Sequence, residues 1–235
     1  MVRMNNRTRL KSLGGKGDTA KWANRLKGIP CFIIGNGPLS LSKDSDLSIL
    51  DDYFTIGINR AFKIIDPTIL IWQDLALYVK HKNLLKKKLK AIKYCRVGAE
   101  IGNRFYHFRM SGRESKLASS PDHLYGLGSS GPLSFQLAYA LGCNPIILVG
   151  MDCRYSSDGK TDFYGKNPMH RPHTLKSCKS GLKWIRNVGH RRKIINCSKN
   201  KVFKERVKLK EAIVSLNDVK IRGRDALVKK LLTGK

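Results

Sequence analysis

Short apolar runs, each closed by glycine or a small polar residue, alternate along this chain with segments of helical spacing. Cys31 to Ile34, Tyr53 to Ile58, Thr68 to Trp72 and Ile146 to Val149 are near-continuous in apolar residues, the pattern of strands buried on both faces. Between the last two, Leu133, Leu137, Ala140 and Leu141 repeat at helical spacing and the repeat stops near Gly142. Leu84, Leu85, Leu89 and Ile92 predict an amphipathic helix over Lys80 to Lys93, and Leu175 to Val188 predicts another. Lys193 to Ile195 reads as a short strand. The alternation predicts an α/β core with parallel strands.

The polar residues that close these runs are the candidate chemistry. Cys31–Leu41 (CFIIGNGPLSL) carries a strand straight into Gly-Asn-Gly-Pro, with Pro38 placed for a first helical turn. Glycines there permit close approach of an anion, and helix N–H groups favour negative charge. The segment is neither of the two common nucleotide motifs, G-x-G-x-x-G or G-x-x-x-x-G-K-[ST]. Gly128–Asp152 repeats the design, with Ser129 and Ser130 before Gly131-Pro132, then a helix, then a strand ending at Gly150-Met151-Asp152. Asn36, Asn59, Asp74, Ser130 and Asp152 all close predicted strands or open predicted helices. In a parallel sheet they converge on the carboxyl edge, where α/β proteins bind ligands.

The order IIGNGPLSL, GINRAF and SSGPLSFQLAYALGCNPIILVGMD resembles the core of bacterial α-2,3/2,8-sialyltransferases that use CMP-sialic acid. It is also similar to the archaeal-type 6-hydroxymethylpterin pyrophosphokinases and to bacterial and viral relatives of both. The resemblance spans roughly residues 29–203 and is dense only in those three blocks. It implies a Rossmann-like single, mostly parallel sheet with helices on both faces and lid-like loop insertions. It implies that Asn36, Gly37, Asn59, Ser129, Ser130 and Gly131 hold the donor nucleotide, with Asp152 on the strand end facing the donor. It also implies a transferase that needs no metal, with a CMP- or UDP-type sugar as substrate and no tightly bound cofactor.

The chain departs from that family at the general base. The sialyltransferases carry it as the His of Ser-His-Tyr in a mobile lid, whereas the nearest text here is Thr161-Asp162-Phe163-Tyr164-Gly165. His170, His173 and Asp162 are therefore the candidate bases, a histidine being suited to proton transfer near neutral pH. Asp74, Arg60 and Tyr164 are expected on the acceptor side. Cys153, His170, His173 and Cys178 are zinc-capable but lack paired ligand spacing, so no metal site is expected. Cys31, Cys143 and Cys197 lie in or beside apolar segments and read as buried thiols, consistent with a reducing, cytoplasm-like compartment.

Charge changes the picture most. Lys and Arg number 46 against 17 Asp and Glu, a formal charge of +29, far beyond what solubility requires. The expected partner is a polyanion: DNA, or an anionic membrane or glycan surface. Residues 1–28 are polar and basic and are expected to form a flexible arm. Residues 29–203 are the transferase domain, interrupted by a polar insertion at 98–128 and a covering loop at 153–173. Residues 204–235 are a basic helical tail. No signal peptide or membrane-spanning run is present in the sequence. Charge and resemblance together point to a glycosyltransferase acting on a polyanion-borne hydroxyl, such as hydroxymethylated DNA of a bacterial virus, in the bacterial cytoplasm, with homo-oligomerisation possible. A lipopolysaccharide or capsule glycosyltransferase, a pyrophosphokinase and a non-catalytic nucleic-acid-binding protein are the alternatives.

Overall fold

The computed structural model describes residues 16–102, 104–112, 117–167, 170, 173–216 and 223–234. Eight strands form one all-parallel sheet: β1 (Cys31–Ile34), β2 (Phe54–Ile58), β3 (Ile69–Trp72), β4 (Ile92–Arg96), β5 (Tyr106–Ser111), β6 (His123–Tyr125), β7 (Ile146–Val149) and β8 (Ile194–Asn196). Their order is β6-β5-β4-β3-β2-β1-β7-β8. The chain thus steps outward from β1 to β6, then returns to the other side of β1, pairing Cys31 with Phe54 on one flank and with Ile146 on the other. The reversal leaves a crevice above the carboxyl ends of β1 and β7, the switch point at which such sheets hold ligands.

Helices cover both faces. They are α1 (Leu75–Lys87), α2 (Ser130–Ala140), α3 (Thr174–Val188), α4 (Leu209–Val214) and α5 (Arg224–Thr233). Alternate side chains of each strand feed opposite layers: Cys31 and Ile33 pack with Leu133, Leu137, Leu182 and Leu227 of α2, α3 and α5, while Phe32 and Ile34 pack with Leu41, Leu50 and Ala212. Leu70 and Trp72 join Leu77, Tyr78 and Leu85 of α1 in a third cluster. The Rossmann-like α/β expectation is met.

Four expectations are corrected. Pro38 does not open an α-helix; residues 38–40 form a turn, because a carboxylate described below takes up the N–H groups there. The helix expected over Lys80–Lys93 ends at Lys87, and Ile92 belongs to β4. The polar insertion at 98–128 contributes β5 and β6, with Phe108 and Leu124 fully buried; each such side chain is worth about 2 kcal/mol in burial, enough to fold the segment into the sheet. Residues 16–28 of the expected arm are packed, since Trp22 and Leu26 sit in the main core and Trp22 stacks 4.8 Å from Tyr106; residues 1–15 lie outside the described part. Among the described residues the tail contributes α4 and α5, and it docks through Leu227, Leu231 and Leu216.

Candidate functional site

A cavity of about 330 Å³ opens at the carboxyl ends of β1 and β7. Its wall includes Asn36, Gly37, Asn59, Asp74, Ser129, Ser130, Gly131, Asp152, Asp162 and His170, so ten of the residues singled out from sequence meet in one place. Three do not line it. His173 is exposed at the N-cap of α3, Tyr164 belongs to the covering loop but turns away from the cavity, and Arg60 stands behind that loop.

Each wall residue is placed by a local cause. Asn59 follows β2 at φ +52, a left-handed conformation that Asn tolerates better than most residues. The Asn36 side-chain amide donates to the Ile58 carbonyl at 3.0 Å, tying the end of β1 to that of β2, and its Oδ1 has no partner. Gly37 must be glycine because any Cβ there would overlap the Asp152 carboxylate. Gln73, which the sequence marked only as a strand end, donates to Ser130 Oγ at 3.3 Å and joins β3 to the start of α2.

Asp152, at the cavity wall, also ties the chain together. It is 1% exposed, and its Oδ2 accepts from the backbone N–H of Leu39 (2.7 Å) and Ser40 (2.9 Å). Its Oδ1 accepts from the Ser40 hydroxyl and from the Lys199 N–H at 2.9 Å. The carboxylate therefore occupies the anion position of the first loop and binds three chain segments together. The first-turn N–H groups of α2 are in the opposite situation: Ser129 makes no side-chain cap, and α3 comes close enough for Gly181 to touch Pro132. Of the two Gly-Pro loops, the second is the one that opens an α-helix at the cavity wall, with no side-chain cap on its first turn.

The covering loop is held to the first loop by a hydrogen bond from Phe163 N–H to the Asn36 carbonyl at 2.9 Å. It carries Asp162, whose Oδ2 lies 3.5 Å from His170 Nε2. Burial pushes the Asp162 carboxyl above its ordinary range, against the opposing pull of His170 and of hydrogen bonds from Tyr164, Asn167 and Thr161. His170 Nδ1 is buried and has no partner among the described residues, and Tyr155 packs 5.9 Å from the imidazole ring. Behind the loop, the Tyr164 hydroxyl accepts from Arg60 at 3.1 Å and Asn167 at 3.2 Å, and the Arg60 guanidinium sits 5.0 Å over its ring. Arg60 and Tyr164 brace the loop rather than face the cavity.

Sequence reasoning passed over Arg154, Tyr155 and the pairing of Cys153 with Cys178. Both cysteines line the cavity, and Cys178 accepts hydrogen bonds from Cys153 and Ser129 that hold its thiol below the ordinary value. Cys153 sits at φ +49 just past β7. The spacing of 25 residues between them carries no recognisable motif. Cys31, Cys143 and Cys197 are buried free thiols, as expected.

Among solved structures, the chain is similar to the MAf glycosyltransferase from Magnetospirillum magneticum AMB-1, with a TM-score of 0.47 and 16% identity over 97% of this chain. The chain spans 46% of that protein's length. No family model and no curated protein matches the sequence, so the likeness to CMP-sialic-acid transferases rests on the three sequence blocks.

Proposed function

We propose that this protein is a glycosyltransferase that moves a sugar from a CMP- or UDP-type donor to an acceptor hydroxyl. The observation that carries this reading is the His170–Asp162 pair at 3.5 Å in the same cavity as the uncapped start of α2. With Nε2–H turned toward Asp162, His170 keeps a lone pair on Nδ1 to take the acceptor proton. Asp162 then stabilises the imidazolium that forms. The α2 N–H groups and Arg154 supply positive charge for the departing nucleotide phosphate, which gives a metal-independent route for the leaving group. Asn36 and Asn59 frame the nucleotide end, and Asp74 lies at the rim on the acceptor side.

The acceptor we propose is a hydroxyl on a polyanion, of which a hydroxymethylated base in viral DNA is the specific case; the +29 charge supports it. A base in duplex DNA would have to leave the stack to reach the cavity. A second reading, an acceptor at an anionic membrane or glycan, has its own support. Leu75 and Val79 of α1 are exposed beside Asp74 and are followed by Lys80, Lys82, Lys86 and Lys87. No helix among the described residues is long and apolar enough to cross a membrane.

The test is nucleotide release from CMP- and UDP-sugars, with and without chelator, in the presence of hydroxymethylated DNA or anionic vesicles bearing a glycan. Release stimulated by one acceptor, unaffected by chelator and lost in His170→Gln, is expected. Chelator sensitivity with ATP as the only active nucleotide would replace this reading by pyrophosphoryl transfer, and the absence of any turnover by a nucleic-acid-binding role.

A further inference from the structure

Away from the cavity, the fold gathers a second group of reactive side chains that the sequence did not reveal. Cys95 on β4 and His107 on β5 are partners in register, so both point to the same side of the sheet. Glu100, from the loop that joins these strands, folds back between them. The Cys95 sulfur, a Glu100 oxygen and a His107 ring nitrogen all lie within 4.8 Å of one another. Cys95 is fully buried, and the Glu100 side chain is 1% exposed.

The internal hydrogen bonding of this group is incomplete. Glu100 Oε1 accepts from the Phe105 N–H at 2.9 Å and stands 2.9 Å from His107 Nε2, but Oε2 is buried with no partner. An uncompensated carboxylate oxygen in the interior is costly. A cation placed between the three groups would satisfy that oxygen.

We infer that Cys95, Glu100 and His107 form a binding site for a divalent transition metal of the zinc type. Thiolate, imidazole and carboxylate together suit Zn²⁺ or Co²⁺ rather than Mg²⁺ or Ca²⁺. Bonds of about 2.0–2.3 Å to a tetrahedral ion put donor atoms roughly 3.3–3.8 Å apart, so an ion would open the 2.9 Å Glu100–His107 contact and draw in donors that now lie within 4.8 Å of one another. Glu100 Oε2 or one water completes four-coordination. Binding displaces the Cys95 thiol proton to solvent and leaves His107 Nε2 as a lone-pair donor.

The site is structural in position. It anchors the loop whose Ala99 carbonyl accepts from Trp72 Nε1 at 2.9 Å and whose Ile101 carbonyl accepts from Tyr78 at 3.1 Å. Trp72 ends β3 next to Gln73 and Asp74 of the cavity wall, and Tyr78 lies in α1, so the ion would stiffen the acceptor-side rim.

Titration of the chelator-treated full chain with Co²⁺ tests this directly. One equivalent is expected to produce a sulfur-to-cobalt charge-transfer band with the intense visible absorption of a tetrahedral site. The band is lost in Cys95→Ser, weakened in His107→Gln and Glu100→Gln, and kept in Cys178→Ser. Added Zn²⁺ raises the thermal midpoint of the wild type in a concentration-dependent way and leaves His107→Gln unchanged. Should Cys95→Ser fail to fold, His107→Gln and Cys178→Ser decide the matter by the same band. No charge-transfer band in the wild type, or a band that survives in His107→Gln and disappears in Cys178→Ser, overturns the assignment and leaves Glu100–His107 as an ion pair.

Discussion

His170 Nε2 and Asp162 Oδ2 stand 3.5 Å apart, with the other ring nitrogen of His170 buried and unpartnered among the described residues. In that arrangement one nitrogen is oriented by the carboxylate and the other is left for chemistry. His170→Ala is expected to lower kcat by about 10²-fold or more, the usual contribution of a positioned base. Asp162→Asn keeps the shape but not the charge and costs less. The double variant is expected to lose no more than His170→Ala alone, which a double-mutant cycle on kcat checks. His173→Ala, outside the cavity, leaves kcat within about twofold; a loss equal to that of His170→Ala would move the base to the other histidine.

Asp152 is expected to matter for folding before it matters for catalysis. Asp152→Ala strips acceptors from Leu39, Ser40 and Lys199 at once and should cost about 3 kcal/mol, read from urea unfolding. Gly37→Ala should be destabilising in the same assay, since its Cβ meets the same carboxylate. Were Asp152 a ligand-facing group, the Asp152→Ala variant would keep wild-type stability and lose only nucleotide affinity.

Cys178 is expected to be the fastest-alkylated thiol of the protein. Its hydrogen bonds from Cys153 and Ser129 favour the thiolate, so the fraction ionised at neutral pH is higher than for a thiol at the ordinary value of 9.0. The alkylation rate therefore climbs with pH and reaches half its plateau below pH 9.0, and Ser129→Ala shifts that curve to higher pH. Bound donor nucleotide is expected to slow the reaction, because Cys178 lines the cavity. Mass mapping of iodoacetamide adducts against pH gives the answer.

Polyanion binding driven by the +29 charge should be steeply salt-dependent. Affinity for duplex DNA is expected to fall by about 10³-fold or more between ~50 and ~200 mM salt, as counterion release requires. Charge reversal of Lys82 and Lys86 on α1 should reduce that slope. Insensitivity to salt would show that the excess charge has another use.

The parts of this architecture legible in sequence are those in which one residue pattern has one reading. CFII and IILV are strands buried on both faces, and such runs lack the alternation that invites confusion. The polar residues found by position at strand ends and helix starts, Asn36, Asn59, Asp74, Ser130 and Asp152, all share the cavity wall. The rest depended on distant partners. Tyr106–Ser111 is a half-polar edge region whose strand character comes from pairing with Tyr94 and Cys95. The role of Asp152 turned on meeting Leu39 and Ser40 across 113 and 112 residues of chain, a contact that no local spacing encodes. The same holds for Cys95, Glu100 and His107, where register rather than motif brings the donors together.

The single hydrogen bond between Phe163 and Asn36 has a mechanical consequence. It makes the cavity floor at Asn36 and the roof that carries Asp162 two halves of one jaw. A ligand that draws on Asn36 pulls the Asp162 side of the cavity with it, and a roof that lifts must first release the floor. Displacement of the floor at Asn36 is thereby passed to the Asp162–His170 pair through a contact one bond long.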